Sequence, residues 1–218
     1  MTDPGLFISL DGPSAVGKST TLEELDRLLR NDGRHVFRTV EPSGSALGQF
    51  TRASAAFLTG HALACLVAAN RYEHVEVELR PMRDAGFTVI SDRYLASSLV
   101  LQRLDGVDEQ FVLDLNREIM LPDLAVILTA EPAVIAARLA ARGVRHRFHH
   151  DPNAPSREVE LYAEAAQTLM TMGVQVLVLD STDTAPKDVA RRIADALPPD
   201  GGSVPSSPSK PDDPTVTP

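Results

Sequence analysis

One run of eight residues, Gly12-Pro-Ser-Ala-Val-Gly17-Lys18-Ser19, limits what this chain can fold into more than any other feature. It completes a G-x-x-x-x-G-K-S pattern between a short apolar stretch, residues 6–10, and an amphipathic one, residues 18–30. Glycines let the backbone curl until several N–H groups aim inward at phosphate oxygens. A helix opening near Lys18 adds the positive end of its dipole. Lys18 offers a mobile cation to the β and γ phosphates, and Ser19 offers a hydroxyl to Mg²⁺. The ATP-binding set is therefore Gly12, Pro13, Ser14, Ala15, Val16, Gly17, Lys18, Ser19 and Thr20. A chance glycine turn would not come with a strand before it and a helix after it. The pattern implies nucleotide binding and leaves the acceptor open.

Short β runs alternate with longer helical patterns through the rest of the chain. Strands are expected at 6–10, 36–40, 88–91, 125–128 and 174–179. Leu22, Leu25, Leu28 and Leu29 share one face of a helix that Asn31-Asp32-Gly33 stops. Residues 62–80 read as one long helix disturbed near Pro81. Further helices are expected at 96–104, 108–120, 131–142, 157–172 and 186–197. The fold class is α/β: a three-layer P-loop NTPase fold, its central, mostly parallel sheet of about five strands covered by helices on both faces. A polar stretch without periodicity, 143–156, reads as an Arg-rich lid on a single domain, 1–197. The Pro-, Ser- and Asp-rich tail, 198–218, has little to bury and is expected to be disordered.

Composition removes several function classes. The formal net charge of −9 argues against a general nucleic-acid binder, and the absence of Trp argues against a stacking platform. No apolar stretch approaches a membrane span, and the N-terminus lacks the pattern of a signal peptide, so a cytoplasmic location is expected. The single cysteine, Cys65, lies in an apolar run and reads as a buried, inert thiol. An N/T-K-x-D base-reading motif and an ABC-type signature are both missing, which leaves a small-molecule kinase.

With the P-loop, an ordered set of short motifs resembles the thymidylate kinase family from Phe7 to about Asp180. These are Phe7-Ile-Ser-Leu-Asp11-Gly12, Glu41-Pro42, Ala68-Ala-Asn-Arg-Tyr-Glu-His74, Ser91-Asp-Arg-Tyr94 with Ser97, Ser98 and Gln102, and Pro122-Asp-Leu124. Arg138, Arg142 and Arg147-Phe148 are similar to the family's Arg-bearing lid. The resemblance implies transfer of a phosphoryl group from ATP, with Mg²⁺, to a nucleoside monophosphate, and a homodimer built on long helices such as 62–80. A kinase for a nucleoside or other small metabolite, and a non-catalytic nucleotide-binding regulator, are the competing readings.

The resemblance also implies roles for single residues. Asp92 would hold the Mg²⁺ environment or, as the alternative, cap the helix before Ala96. Arg93 would grip the acceptor phosphate or form a surface ion pair. Asp11 would touch the metal shell or a sugar hydroxyl, and Ser19 the metal itself. Glu41 would lie near the acceptor sugar and phosphate or be a turn carboxylate. Arg71 would bond the acceptor base or pair with a helix glutamate such as Glu78.

Members of the family that this chain resembles carry transition-state arginines either in the P-loop or in the lid; no cation occupies the variable P-loop positions here, so the resemblance implies that Arg142, Arg145 and Arg147 close over the phosphates. A solvated basic loop is the alternative. His146, His149, His150 and Asp151 could hint at zinc, but no Cys accompanies them.

Departures from the family pattern gather around the acceptor. Val67 stands where an aromatic ring is usual, Leu101 where a Tyr is, Asn70 where an Asp is, and Ser98 where another polar residue is often found. A modified pyrimidine or a ribonucleotide acceptor is the expectation these departures raise.

Overall fold

A computed structural model describes residues 4–142 and 153–198, the Arg142 side chain excepted. Five parallel strands form one sheet in the order β2-β3-β1-β4-β5: β1 Phe7–Asp11, β2 Val36–Val40, β3 Thr88–Asp92, β4 Leu124–Thr129 and β5 Gln175–Asp180. Each strand came within one residue of the sequence expectation at either end.

Alternate side chains feed two separate cores, the pattern a parallel sheet covered on both faces requires. Ile8, Leu10, Val126 and Leu128 pack with Leu22, Leu25 and Leu29 of α1 (Lys18–Asn31) and with Val189 and Ile193 of α9 (Pro186–Asp195). Phe7, Val89, Ala125 and Ile127 face Leu95 and Leu99 of α5 (Leu95–Leu104) and Leu161, Tyr162 and Leu169 of α8 (Ala154–Thr171). Leu25 is fully buried, and truncating it to Ala would cost about 2–5 kcal/mol.

Four expectations change. Helix α2, Ala46–Ser54, occupies a stretch left unassigned in the sequence; Ser45 caps it by accepting the Gly48 amide. The long helix becomes α3 (Gly60–His74), a π-helical turn (Val75–Leu79) and α4 (Arg80–Asp84). Pro81 cannot donate to the carbonyl one turn back, and its ring crowds that group. The widened turn absorbs this, the Arg80 amide reaching back to the Val75 carbonyl. Helix α6 is short, Glu109–Leu115, whereas a helix to 120 was expected. Cys65 is exposed, on the side of α3 away from buried Ala64, Ala68 and Arg71, so it is not a core thiol.

Register brings the carboxyl ends of the strands to one edge, with Leu10 beside Asp92 and Val40 beside the same residue. Helix α7, Pro132–Arg142, leads away from β4, with Pro at its start as the sequence suggests. Helix α8 begins at Ala154, three residues before its expected start.

Candidate functional site: two cavities at one phosphate cradle

The loop between β1 and α1 is shaped by backbone requirements at two glycines. Gly12 has φ +144°, and a Cβ there would lie 2.4 Å from the Leu128 carbonyl oxygen, so only glycine fits. Gly17, at φ +109°, precedes the first turn of α1. Within this curl Lys18 is 8% exposed, and its Nζ donates to the Gly12 and Pro13 carbonyls at 2.7 Å each. Burial, then the neighbouring Arg93 charge, lowers its pKa to about 7 against the pull of Asp92, Asp11 and Glu158. Ser19 and Thr20 are exposed at the start of α1.

Asp11, at the end of β1, is fully buried. Its Oδ1 accepts from the Tyr94 amide at 2.9 Å, the Ser97 amide at 3.0 Å and the Ser97 hydroxyl at 2.6 Å. Asp11, reaching across from another strand, therefore caps α5; the capping alternative for Asp92 is not what forms. Two carboxylate oxygens, Asp11 Oδ2 and Asp92 Oδ1, are buried without a hydrogen-bond partner among the described residues. Hard anionic oxygens left in this condition beside a phosphate cradle suit Mg²⁺, which takes one or two carboxylates and completes its shell with phosphate and water. Among the described residues there is no cluster of three or more His, Cys, Asp or Glu that could hold a metal alone.

Arg93 follows β3 with φ +75°, a strained value for a side chain of its size. Its Nη1 donates to Ser97 Oγ at 3.2 Å and to the Tyr162 hydroxyl at 3.4 Å. Among the described residues it makes no ion pair, so its fork has no carboxylate to satisfy it.

A cavity of about 370 Å³ opens in front of the cradle. Glu41, Val67, Arg71, Arg93, Ser98, Leu101 and Gln102 all line it, together with Ser14 of the loop. The sequence therefore picked side chains from four separate segments that the fold gathers into one wall. Arg71 is 1% exposed, and its Nε and Nη2 donate to Glu41 Oε2 at 2.8 and 2.7 Å. Further bonds run from Nη2 to Ser98 Oγ at 2.8 Å and from Nη1 to Asn116 Oδ1 at 2.7 Å. The ion-pair partner is thus Glu41; Glu78, the expected alternative, bonds Thr39 and His74. His74 also lies 3.3 Å from Glu41 Oε1. Burial works against the His74 charge, but its hydrogen bonds to Glu41 and Glu78 prevail and hold its pKa at about 9. Gln102 Oε1 is buried without a partner among the described residues. Asn70 stays outside the wall: its Oδ1 accepts the Ser43 amide at 2.9 Å, bracing the turn before α2.

On the other side of the loop a smaller cavity of about 230 Å³ is lined by Ala15, Gly17 and Thr20 with Arg138, Thr184 and Pro186. Arg138 donates to the Ser181 and Thr182 carbonyls at 3.0 and 3.1 Å. Arg145 and Arg147, the Arg142 side chain, and the His146, His149, His150 and Asp151 group lie outside the described residues.

Sequence reasoning missed several lining residues. Arg52 and Thr51 came with the unassigned α2. Glu158 comes from α8; Tyr162 of the same helix is not part of the lining but accepts from Arg93 Nη1 at 3.4 Å. The signal for Glu158 was present: a carboxylate one turn before Tyr162, on the stripe that buries Leu161, Ala165 and Leu169. Its Oε2 accepts the Ser14 amide at 3.2 Å.

Comparison with known proteins points to one family. The family model described as thymidylate kinase matches residues 10–193. A probable thymidylate kinase of Caldivirga maquilingensis is 33% identical over 74% of this chain and 81% of its own length. A thymidylate kinase of Clavibacter sepedonicus is 41% identical over 66% of this chain and 71% of its own. A probable thymidylate kinase of Thermococcus kodakarensis is 30% identical over 88% and 98%.

Proposed function

The chain belongs to the thymidylate kinase family, and from that premise we propose that it moves the γ-phosphoryl group of ATP to dTMP or a closely related pyrimidine nucleotide, giving the diphosphate. One observation carries the acceptor assignment. A single cavity beside the cradle has among its walls Arg93, a guanidinium that makes no ion pair among the described residues, and polar groups suited to a base, Ser98 and Gln102, along another helix. A nucleoside monophosphate needs both an anion grip and a base-reading wall. A phosphate-free acceptor would leave the Arg93 fork facing nothing.

Phosphoryl transfer asks for alignment and neutralised charge more than for covalent help from the protein. ATP would place its phosphates in the loop, with the base toward the cavity lined by Thr20 and Arg138. Lys18 would exchange its two loop carbonyls for β and γ oxygens, and the incoming charge would raise its pKa from about 7 and keep it protonated. Arg93, steadied by Ser97 and Tyr162, would hold the acceptor phosphate in line as a fork. Ser19, Asp92 and the free Asp11 oxygen would hold Mg²⁺. When bound, that ion neutralises charge on the transferring group. Arg142, Arg145 and Arg147 would complete the charge stabilisation. Arg71, fixed by Glu41 and Asn116, would brace the base wall, where the Gln102 amide meets the acceptor's base edge.

Two coarser properties complete the reading. No described helix is long and apolar enough to cross a membrane, in keeping with a soluble, cytoplasmic kinase. Ala62, Cys65 and Ala69 form an exposed, small-residue face on α3 suited to pairing with a second copy.

Val67 and Leu101 make the acceptor cavity aliphatic where a ring would stack, a loss of roughly 1–3 kcal/mol per base. Discrimination among bases should therefore be shallow. The ratio of kcat/KM for dTMP, dUMP, CMP, UMP and 5-substituted analogues tests this. Comparable values for several pyrimidines support it, and a steep preference for dTMP alone defeats the relaxed-acceptor part.

A further inference from the structure

Behind the base wall lies a charged group that phosphoryl transfer itself does not use. His74, the last residue of α3, is fully buried, with a carboxylate near each ring nitrogen. Nδ1 lies 3.3 Å from Glu41 Oε1, and Nε2 lies 3.3 Å from Glu78 Oε2 in the π-helical turn. Nε2 also lies 2.7 Å from the Thr39 hydroxyl, which donates to Glu78 Oε2 at 2.8 Å. With the Thr39 proton committed to Glu78, Nε2 must be the donor to Thr39. Nδ1 faces an oxygen that only accepts, so it carries a proton as well. The hydrogen-bond pattern is that of an imidazolium, in agreement with a pKa held at about 9.

The charges of this cluster balance: Glu41 and Glu78 against Arg71 and His74. The other titratable and charged groups acting on it are Tyr94 and Asp11, both on Arg71, with Tyr72 and Arg80 acting on Tyr94. Tyr94 stays neutral, its pKa raised by burial and its hydroxyl donating to the Met120 carbonyl at 2.7 Å. Glu41 and Arg71 line the acceptor cavity, whereas His74 and Glu78 stand behind them. Loss of the His74 proton would leave one negative charge unbalanced beside a cavity that must admit an anionic nucleotide. In a buried setting such a charge is poorly screened.

We propose that the charged His74 ring is a positioning residue for the acceptor: it holds Glu41 from behind, and through Glu41 sets Arg71 and the charge of the base wall, so that nucleotide capture depends on its proton. The inference rests on the reading of this cavity as the acceptor site. In-line alignment is set by Lys18 and Arg93 on other elements, so the dependence falls on acceptor KM and leaves kcat alone. Binding of the acceptor and of the proton are reciprocal: if the proton favours the acceptor, the acceptor must tighten the hold on the proton.

The test follows pH. With ATP and Mg²⁺ saturating, kcat/KM for dTMP should fall roughly 5-fold or more as pH rises through about 9, while kcat stays flat. The base's own N–H also titrates in alkaline solution, so the decisive comparison is Glu78→Gln, which takes one carboxylate from His74 and touches no cavity wall. There the fall should begin about one pH unit lower or more, a shift that ionisation of the base cannot produce. NMR of the His74 ring in wild type should show it titrating at higher pH with dTMP bound than without. His74→Asn should raise the KM for dTMP roughly 5-fold near neutral pH and keep kcat within about 2-fold. A fall that stays in place in Glu78→Gln, a His74 titration indifferent to dTMP, or a folded His74→Asn that loses kcat rather than acceptor KM would each overturn the proposal. The first two leave His74 in place, so they decide the matter even if His74→Asn does not fold. Turnover of no monophosphate by the wild type would overturn the acceptor reading and this inference with it. Turnover of dTMP with the pH response unmoved in Glu78→Gln overturns this inference alone.

Discussion

The Asp11 carboxylate and the Ser97 hydroxyl lie 2.6 Å apart, joining the end of β1 to the first turn of α5. Arg93 lies between the two elements, and its guanidinium shares the same hydroxyl. The strand that launches the phosphate loop and the arginine assigned to the acceptor phosphate are therefore held by one carboxylate. That linkage gives a spatial reason for an acidic residue at the end of β1: only an anion can take two amides and a hydroxyl on one oxygen while its other oxygen stays available.

Asp11→Asn should separate these two duties. An amide oxygen can still accept from Tyr94 and Ser97, but the second oxygen becomes an NH₂ donor that repels a cation. The expected loss of stability is about 1–2 kcal/mol, since hydrogen bonds to a charged acceptor become neutral ones. The Mg²⁺ concentration for half-maximal turnover should rise several-fold. A titration of activity against Mg²⁺ checks this, and an unchanged requirement would remove Asp11 from the metal's surroundings.

Glu41 and Arg71 form a buried pair with side chains 5% and 2% exposed, and breaking such a pair from one side is costly. Glu41→Gln leaves Arg71 and His74 without their shared anion. Chemical denaturation should show a loss of about 3–5 kcal/mol. Combining it with Arg71→Met should cost much less than the two single changes added together. Additive losses would mean that the pair is not a unit.

His74 makes the stability pH-dependent in a stated direction. Its pKa is about 9 in the folded protein, against 6.5 for the unperturbed group. The folded state therefore binds the extra proton more tightly, and the stabilisation is fully present below pH 6.5. It fades as pH rises through 9. His74→Asn should thus be least stable relative to wild type at about pH 6 and nearly equal to it near pH 10. Lys18, whose pKa is lowered instead, acts in the opposite sense between about 7 and 10.5, so the difference between the two proteins is the quantity to follow. A pH-independent difference in melting would contradict the assignment.

Strand positions and the phosphate loop were legible because they depend on local signals: apolar pentamers, glycines at forced φ, and a helix with its leucines on one face. The wall formed by Val67, Arg71, Ser98 and Leu101 was legible only through motif resemblance, since nothing local says that α3 and α5 face each other. Partners were harder still. Whether Arg71 finds Glu41 or Glu78 depends on the turn after β2, which spacing along one helix cannot reveal. Glu158 was readable in principle as a charge on an apolar stripe, yet its meaning needs the Ser14 amide beside it. Helix α2 escaped because Ala, Gly and Ser dilute its pattern; its Ser45 cap was the better sign. The π turn shows Pro81 acting through the residues before it.

Lys18→Met should reveal a trade between stability and function. A buried lysine whose Nζ is bonded, among the described residues, to two carbonyls and whose pKa is lowered to about 7 is held at the expense of folding, so the empty variant should melt at the same temperature as wild type or higher. ATP binding to the wild type near pH 8 should take up a proton, visible by calorimetry in buffers of different ionisation enthalpy, and the variant should not show it. A variant that melts far lower would contradict the picture of a strained, functional lysine.

The most direct measurement follows the phosphoryl group itself. Wild-type protein, Mg²⁺, ATP labelled in the γ-phosphate and dTMP should yield dTDP carrying the label on its terminal phosphate. Lys18→Met should form it at least roughly 100-fold more slowly, the scale of losing a preorganised charge at the transferring group. Labelled inorganic phosphate without labelled dTDP, or label transfer undiminished in the variant, would contradict the account.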